Sequence, residues 1–224
     1  MPDILKYGFN PMPSSDLNHP SCLERLLKRP FYVLKMCFHF FKAWIKNPRN
    51  IGAIAPSSNL LGQAIASEIN LDKPGFIIEL GGGTGALTKA LLNSGIDPKR
   101  LIVIEQNLNF VKLLKQQFTQ SLILEADAQN LAQVLKDQKI TEINAIVSGI
   151  PLRSLPKRVL INIIKNSLSL LSIDSSFIQF TYGVRSPIPL KLVHENPSLF
   201  SIKVSNRVWG NIPPATVWVY SRIS

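Results

Sequence analysis

Glu79-Leu80-Gly81-Gly82-Gly83-Thr84-Gly85 follows directly on the apolar run Phe76-Ile77-Ile78. An apolar strand that runs into glycines and then into Ala86-Leu87-Thr88-Lys89-Ala90-Leu91-Leu92 reads as strand, turn, helix. Glycines in such a turn allow positive φ and let a ligand lie against bare backbone. The carboxylate of Glu79 selects the ligand: it would repel a pyrophosphate and attract a molecule carrying an ammonium. Three more apolar runs end in polar residues. Leu101-Ile102-Val103-Ile104 ends at Glu105-Gln106, and Leu122-Ile123-Leu124 leads through Glu125-Ala126 to Asp127-Ala128. The third, Ile143-Asn144-Ala145-Ile146-Val147, ends at Ser148-Gly149-Ile150-Pro151-Leu152. A carboxylate after a second strand can accept both ribose hydroxyls of an adenosine. An Asp after a third can accept the exocyclic amine of adenine.

The elements that would position these residues follow from periodicity. Helices are expected at 57–69, 84–93, 108–118, 128–136 and 156–171. Strands are expected at 76–80, 101–105, 121–125, 143–148 and 176–182, with two more at 200–206 and 216–221. Apolar strands, short connections and alternation with helices predict an α/β fold: a doubly wound, Rossmann-like sheet of seven strands, mostly parallel. Ligands of such sheets lie beyond the carboxyl ends of the strands, which is where the glycine turn, Glu105, Asp127 and the Ser148 loop fall.

Turn, acid, acid and a polar-Gly-x-Pro loop, in that order, resemble the class I S-adenosylmethionine-dependent methyltransferases, and the resemblance implies that the last hairpin of the sheet is antiparallel. S-Adenosylmethionine has an α-amino group, a sulfonium and no phosphate, which suits Glu79. Four further segments are similar to the bacterial phospholipid N-methyltransferases: Asn47 to Ser58, Ser148 to Pro156, Gln179 to Pro187 and Arg207 to Ala215. The resemblance covers about residues 40 to 222 and implies methylation of phosphatidylethanolamine toward phosphatidylcholine. It implies Glu79, Gly81, Gly83 and Gly85 for the methionine part of the donor, Glu105 and Gln106 for the ribose, and Asp127 and Ala128 for the adenine. Ser148, Gly149 and Tyr182 are the catalytic candidates, the first two through loop carbonyls and Tyr182 as acceptor or as an aromatic face for a methylated cation. Arg153, Arg185 and Arg207 are candidates for the lipid phosphate, since a guanidinium forks onto phosphate oxygens. The alternative is an rRNA or DNA adenine methyltransferase. Those carry an amide or acid, then x-Pro and an aromatic that stacks on the base; here Ser148-Gly149-Ile150-Pro151-Leu152 has neither group.

The 224 residues have a formal net charge of +11. Residues 1–50 alone hold eight Lys/Arg against three Asp/Glu. Such a balance points to an anionic partner. Residues 22–45 read as a basic, aromatic-rich amphipathic helix, with Lys28, Lys35 and Lys42 opposite Leu26, Cys37 and Trp44. Lys35 and Lys42 interrupt the apolar run too early for a membrane span, and such a helix suits an anionic headgroup layer. The expected organisation is therefore a tail and membrane-contacting helix at 1–50 and a methyltransferase domain at 51–224. A phospholipid substrate and an anionic membrane surface are the expected partners, with no nucleic acid. The expected location is cytoplasmic, peripherally bound to the inner face of the cytoplasmic membrane. Two cysteines, Cys22 and Cys37, make no disulfide framework, and no metal site is expected. Residues 1–20, with two Asp and four Pro, do not resemble a secretory signal.

Overall fold

The computed structural model describes residues 55–182, 185–189, 192–193, 199–205, 207–208 and 214–223, with side chains from Leu60 onward. The helix expected at 22–45 and the Asn47–Ser58 segment fall outside the described residues, apart from the backbone of residues 55–58. One seven-stranded sheet organises the rest: β1 (Phe76–Leu80), β2 (Leu101–Glu105), β3 (Leu122–Glu125), β4 (Ile143–Ser148), β5 (Ser176–Thr181), β6 (Phe200–Val204) and β7 (Thr216–Arg222). Their order across the sheet is β3-β2-β1-β4-β5-β7-β6. The five strands β3, β2, β1, β4 and β5 are parallel neighbours. β7 inserts antiparallel between β5 and β6, so β6 runs in the direction of β5. This is the doubly wound, mostly parallel sheet that the periodicity predicts, with the antiparallel last hairpin that the methyltransferase resemblance implies.

Among the described residues, α1 (Ala55–Ala66) precedes β1, and α2 (Ala86–Asn93), α3 (Leu108–Gln117), α4 (Leu131–Asp137) and α5 (Lys157–Ser169) connect the parallel strands. Because the central strands are covered on both faces, they are apolar throughout rather than alternating. Ile78, Leu80, Ile102, Ile104 and Ile146 pack with Leu131, Leu135, Leu160 and Ile164 from α4 and α5. Ile77, Val103, Ala145 and Val147 pack with Ile65, Leu91, Val111 and Leu114 from α1, α2 and α3. All of these residues are at most 7% exposed. Burying a Leu or Ile side chain of this kind contributes about 1.5–3 kcal/mol.

The expected helix at 128–136 begins instead as a 3-10 turn, Ala128–Asn130, before α4. Asp127 is the cause. Its Oδ1 accepts from the Gln129 N–H at 2.9 Å, a local contact that tightens the first turn. Short 3-10 turns also occupy 98–100 and 152–154, where loops were expected. Asp97 caps the first of these through the Lys99 N–H. Below the sheet, Arg100 donates to the carbonyls of Leu71, Lys73 and Gly75, and the Asn144 amide to those of Asn70 and Lys73. This buried web fixes the chain's entry into β1.

α1 and α2 cross so closely at Gly62 that a Cβ there would lie 2.2 Å from the Ala90 Cβ and 3.0 Å from its backbone. Gly62→Ala sets a helix-propensity gain of about 1 kcal/mol against overpacking that costs about 1–3 kcal/mol. Rigid backbone on the far side places the second at its upper end. Chemical denaturation should show a net loss of roughly 1–2 kcal/mol; a gain would mean that the two helices separate freely.

Candidate active site

The site is built where the parallel strands end. A single row of paired residues crosses the whole sheet just below that edge: Leu124, Ile104, Leu80, Ser148, Gln179, Trp218 and Val204. Five of the seven are apolar, and Ser148 and Gln179 are the polar exceptions. Every candidate residue lies at or beyond this row except Glu79, which is one position beneath it.

Beyond the row, β1 turns through Gly81, Gly83 and Gly85, all at positive φ. Gly81 N–H donates to the Ile104 carbonyl at 2.8 Å, and Gly149 N–H donates to the Leu80 carbonyl at 2.8 Å. These two bonds bind the ends of β2, β1 and β4 into one unit. They also leave no room. A Cβ on Gly81 would meet Ile150 Cγ1 at 2.8 Å, and one on Gly149 would meet the Gly81 carbonyl at 3.0 Å. The glycine turn and the loop after β4 therefore touch backbone to backbone. Glu105 completes the fastening: its Oε2 accepts from Gly83 N–H at 2.9 Å and its Oε1 from Asn107 N–H at 2.8 Å. Each carboxylate oxygen retains a lone pair for a further donor, and the residue is 8% exposed. Gln106 beside it is exposed.

Glu79 is fully buried, and neither carboxyl oxygen has a hydrogen-bond partner among the described residues. Desolvation pushes its pKa up to about 8, Thr88 draws it down in part, and the Glu105 charge adds to the rise. The hydroxyl of Thr88, on the inward side of α2, is also buried and forms no hydrogen bond of good geometry with the carboxyl. Two orphaned polar groups behind a glycine turn fit a ligand that brings a positive charge. The sequence reading missed Thr88, which nothing in a helical pattern distinguishes from a core residue.

The other candidates divide by surroundings. Asp127 is half-buried, and both its oxygens contact Gln129, so it caps the 3-10 turn while lying beyond β3. Ala128 is buried. Ser148 Oγ accepts from Ile150 N–H at 3.3 Å. Tyr182 is half-buried just past β5, edge-on to Phe180 with centroids 5.7 Å apart. Arg153 and Arg185 are exposed in the segments after β4 and β5, and Arg207 is half-buried after β6. Since β6 runs parallel to β5, all three Arg emerge at the same edge of the sheet. The loop carbonyls are less available than the sequence suggests: that of Ile150 already accepts from Leu152 N–H at 2.8 Å and from Gln179 Nε2 at 3.2 Å. A shallow cleft of about 410 Å³ lies outside the turn, lined by Thr84, Gly85, Ala86, Lys89, Gln117 and Phe118. None of the candidate carboxylates lines it. Among the described residues no group of His, Cys, Asp and Glu could hold a metal ion.

With this geometry in place, comparisons add relationships. The model of the ribosomal RNA adenine dimethylase family matches residues 57–213. The ornithine lipid N-methyltransferase of Singulisphaera acidiphila is 29% identical over 151 residues, covering 66% of this chain and 79% of that protein. The ribosomal RNA small subunit methyltransferase A of Prochlorococcus marinus is 30% identical over 94 residues, 42% of this chain and 33% of that one. A Burkholderia thailandensis 1,6-didemethyltoxoflavin-N1-methyltransferase, solved with S-adenosylhomocysteine, superposes with a TM-score of 0.59 at 13% identity, over 87% of this chain and 91% of that one. The likeness in structure gives the fold, that of the class I methyltransferases.

The buried carboxyl gives a pH-dependent expectation for the protein without donor. A folded-state pKa raised from 4.5 to about 8 means that the stability contributed is fully present below pH 4.5. It is then lost as pH rises through about 8. Glu79→Gln removes that loss. In urea titrations the variant should gain on the parent by on the order of 3–5 kcal/mol between pH 4 and pH 9. A constant difference across that range would show that Glu79 ionises freely in the fold.

Proposed function

The chain belongs to the ribosomal RNA adenine dimethylase family, and on that premise we propose that it methylates the amine headgroup of a membrane lipid, phosphatidylethanolamine first. S-Adenosylmethionine is the donor, and bound at the strand ends it supplies a methyl group on a positively charged sulfur. Glu79, once ionised, offers the ammonium of the donor a partner in a dry site, where such a pair is worth most. Glu105 keeps lone pairs for the ribose, and Asp127 stands beyond β3 for the adenine. Close backbone contact between Gly81 and Gly149 keeps the acceptor loop against the donor turn, so that alignment is largely prepaid.

One observation carries the choice of acceptor. The loop after β4 is Ser148-Gly149-Ile150-Pro151-Leu152, with no aromatic ring to stack on a base and no amide or acid to hold one. An aliphatic amine needs no stacking platform. A relative that acts on ornithine lipid, matched over 79% of its length, supports the same reading. Arg153, Arg185 and Arg207 emerge at the edge where a lipid phosphate would lie, and Tyr182 provides an aromatic face for the cation that grows with each methylation. The basic segment at 22–45 is proposed to hold the protein peripherally on the cytoplasmic leaflet, each Lys near such a surface contributing about 1 kcal/mol. Among the described residues no helix is long and apolar enough to cross a membrane.

The second reading, adenine methylation in ribosomal RNA, is favoured by the description of the family and by the 94-residue match to an rRNA enzyme. The two separate in one assay. Full-length protein with labelled S-adenosylmethionine is offered phosphatidylethanolamine vesicles, ornithine-lipid vesicles and ribosomal RNA in parallel. Label is expected in the lipid fractions, with phosphatidylethanolamine the stronger; label in RNA alone would replace the reading. Anchoring is tested by co-sedimentation with anionic vesicles. Removal of residues 1–46 should abolish most of the binding, and undiminished binding would place the membrane contact elsewhere.

A further inference from the structure

Gln179 is a buried polar residue of β5 that the proposed reaction leaves unused. It lies in the row beneath the strand ends, between Ser148 on β4 and Trp218 on β7. It is 2% exposed. Its Nε2 donates to the Ile150 carbonyl at 3.2 Å and to the Phe180 carbonyl at 2.9 Å. Both neighbours of that atom are acceptors, so the amide orientation is set by chemistry: nitrogen must face them. The other end of the amide, Oε1, is buried with no partner among the described residues. Trp218, opposite on β7, does not supply one, since its own Nε1 is also unpartnered.

An orphaned buried amide oxygen is destabilising, and an apolar side chain would avoid the loss. Phe177 and Ile178 on the same strand are apolar and fully buried. Through Nε2, the amide is fastened to the loop after β4, at the residue preceding Pro151. The two ends of the amide share one carbon, so the bond from Nε2 ties the group that carries the orphaned oxygen to that same loop. This is the loop that lacks a side-chain amide of its own.

We propose that Gln179 supplies from β5 the carboxamide that the β4 loop lacks: its Nε2 holds the Ile150 carbonyl in place, and its Oε1 accepts an N–H of the lipid amine and turns the nitrogen lone pair toward the methyl group. The inference rests on the lipid-amine reading above. In the step, the neutral amine forms the new C–N bond as the C–S bond of the donor breaks, and the electron pair stays on sulfur. The resulting ammonium then gives a proton to solvent. Gln179 takes no proton, because an amide oxygen is far too weak a base; it orients the amine, and Oε1 touches the substrate itself. The amide does so only while the nitrogen has an N–H to give. A primary or secondary amine has one. A neutral dimethylated amine has none.

That difference gives the test. Wild-type and Gln179→Met proteins are assayed in full-length form with S-adenosylmethionine. The acceptors are vesicles of phosphatidylethanolamine, its N-methyl form and its N,N-dimethyl form. If the wild type labels only ornithine lipid, the corresponding methylated series replaces them. Met keeps the length and removes both polar ends. Turnover on the first two acceptors should fall about 30- to 100-fold, turnover on the dimethyl lipid by less than about threefold, and donor affinity by calorimetry should not change. An equal loss on all three acceptors would make Gln179 a packing residue, and no loss on any would remove it from the site; either overturns the proposal. A wild type that labels no lipid amine instead overturns the lipid reading beneath it. Should Gln179→Met not fold, Gln179→Asn withdraws the same amide by one methylene and is judged by the same comparison.

Discussion

The contact of two strand ends, backbone against backbone, is the constraint from which the site follows. Gly149 reaches the Leu80 carbonyl and Gly81 reaches that of Ile104, with no space for a Cβ between turn and loop. Close approach needs glycine on both sides, and both positions have it. Glu105 then closes the arrangement from the side by taking the Gly83 and Asn107 N–H groups. The glycine turn after β1 and the loop after β4 are thus held in contact by the fold itself. Electrostatics is layered on this frame. Glu79 is buried directly behind the turn, and the fold tolerates an uncompensated carboxyl that is far from comfortable there. Stability given up at a functional site in this way is a familiar trade.

Much of this was legible in the residues. The strands at 76–80, 101–105 and 143–148 coincide with the structure because short runs rich in Ile, Val and Leu, bounded by polar residues and turns, admit little else in a sheet covered on both faces. The two last strands were legible as β-rich runs, but their antiparallel direction came with the resemblance to the class I methyltransferases rather than from the runs themselves. The start of α4 did not, because Asp127 was read for its possible ligand contact, while its nearest donor is its own chain two residues on. A short polar side chain next to a free N–H serves the backbone first.

Glu105 shows a different limit. A carboxylate at the second strand end is visible in sequence, but its fastening of the glycine turn depends on which N–H groups the fold presents to it. Gln179 is the sharper case. Its signal was present, a lone amide in Ser176-Phe177-Ile178-Gln179-Phe180, yet periodicity treats a polar residue in a buried strand as noise. Only the structure, which pairs it between Ser148 and Trp218 and bonds its Nε2 to the Ile150 carbonyl, shows that the amide reaches the neighbouring loop. Charge arguments stand apart from all of this, since net charge bears on partners rather than on fold.

The placement of β7 has a consequence for how the molecule is made. Strands β1 to β4 come from one continuous stretch, residues 76–148, and can zip together as the ribosome delivers them. β5 cannot finish: its outer neighbour is β7, which is translated some 35 residues later and slides in between β5 and β6. The half that holds the glycine turn can therefore mature early, while β5 waits with an open edge. A nascent chain at that stage already has its first four strands in register, and only the arrival of β7 closes the flank on which Gln179 and Tyr182 stand.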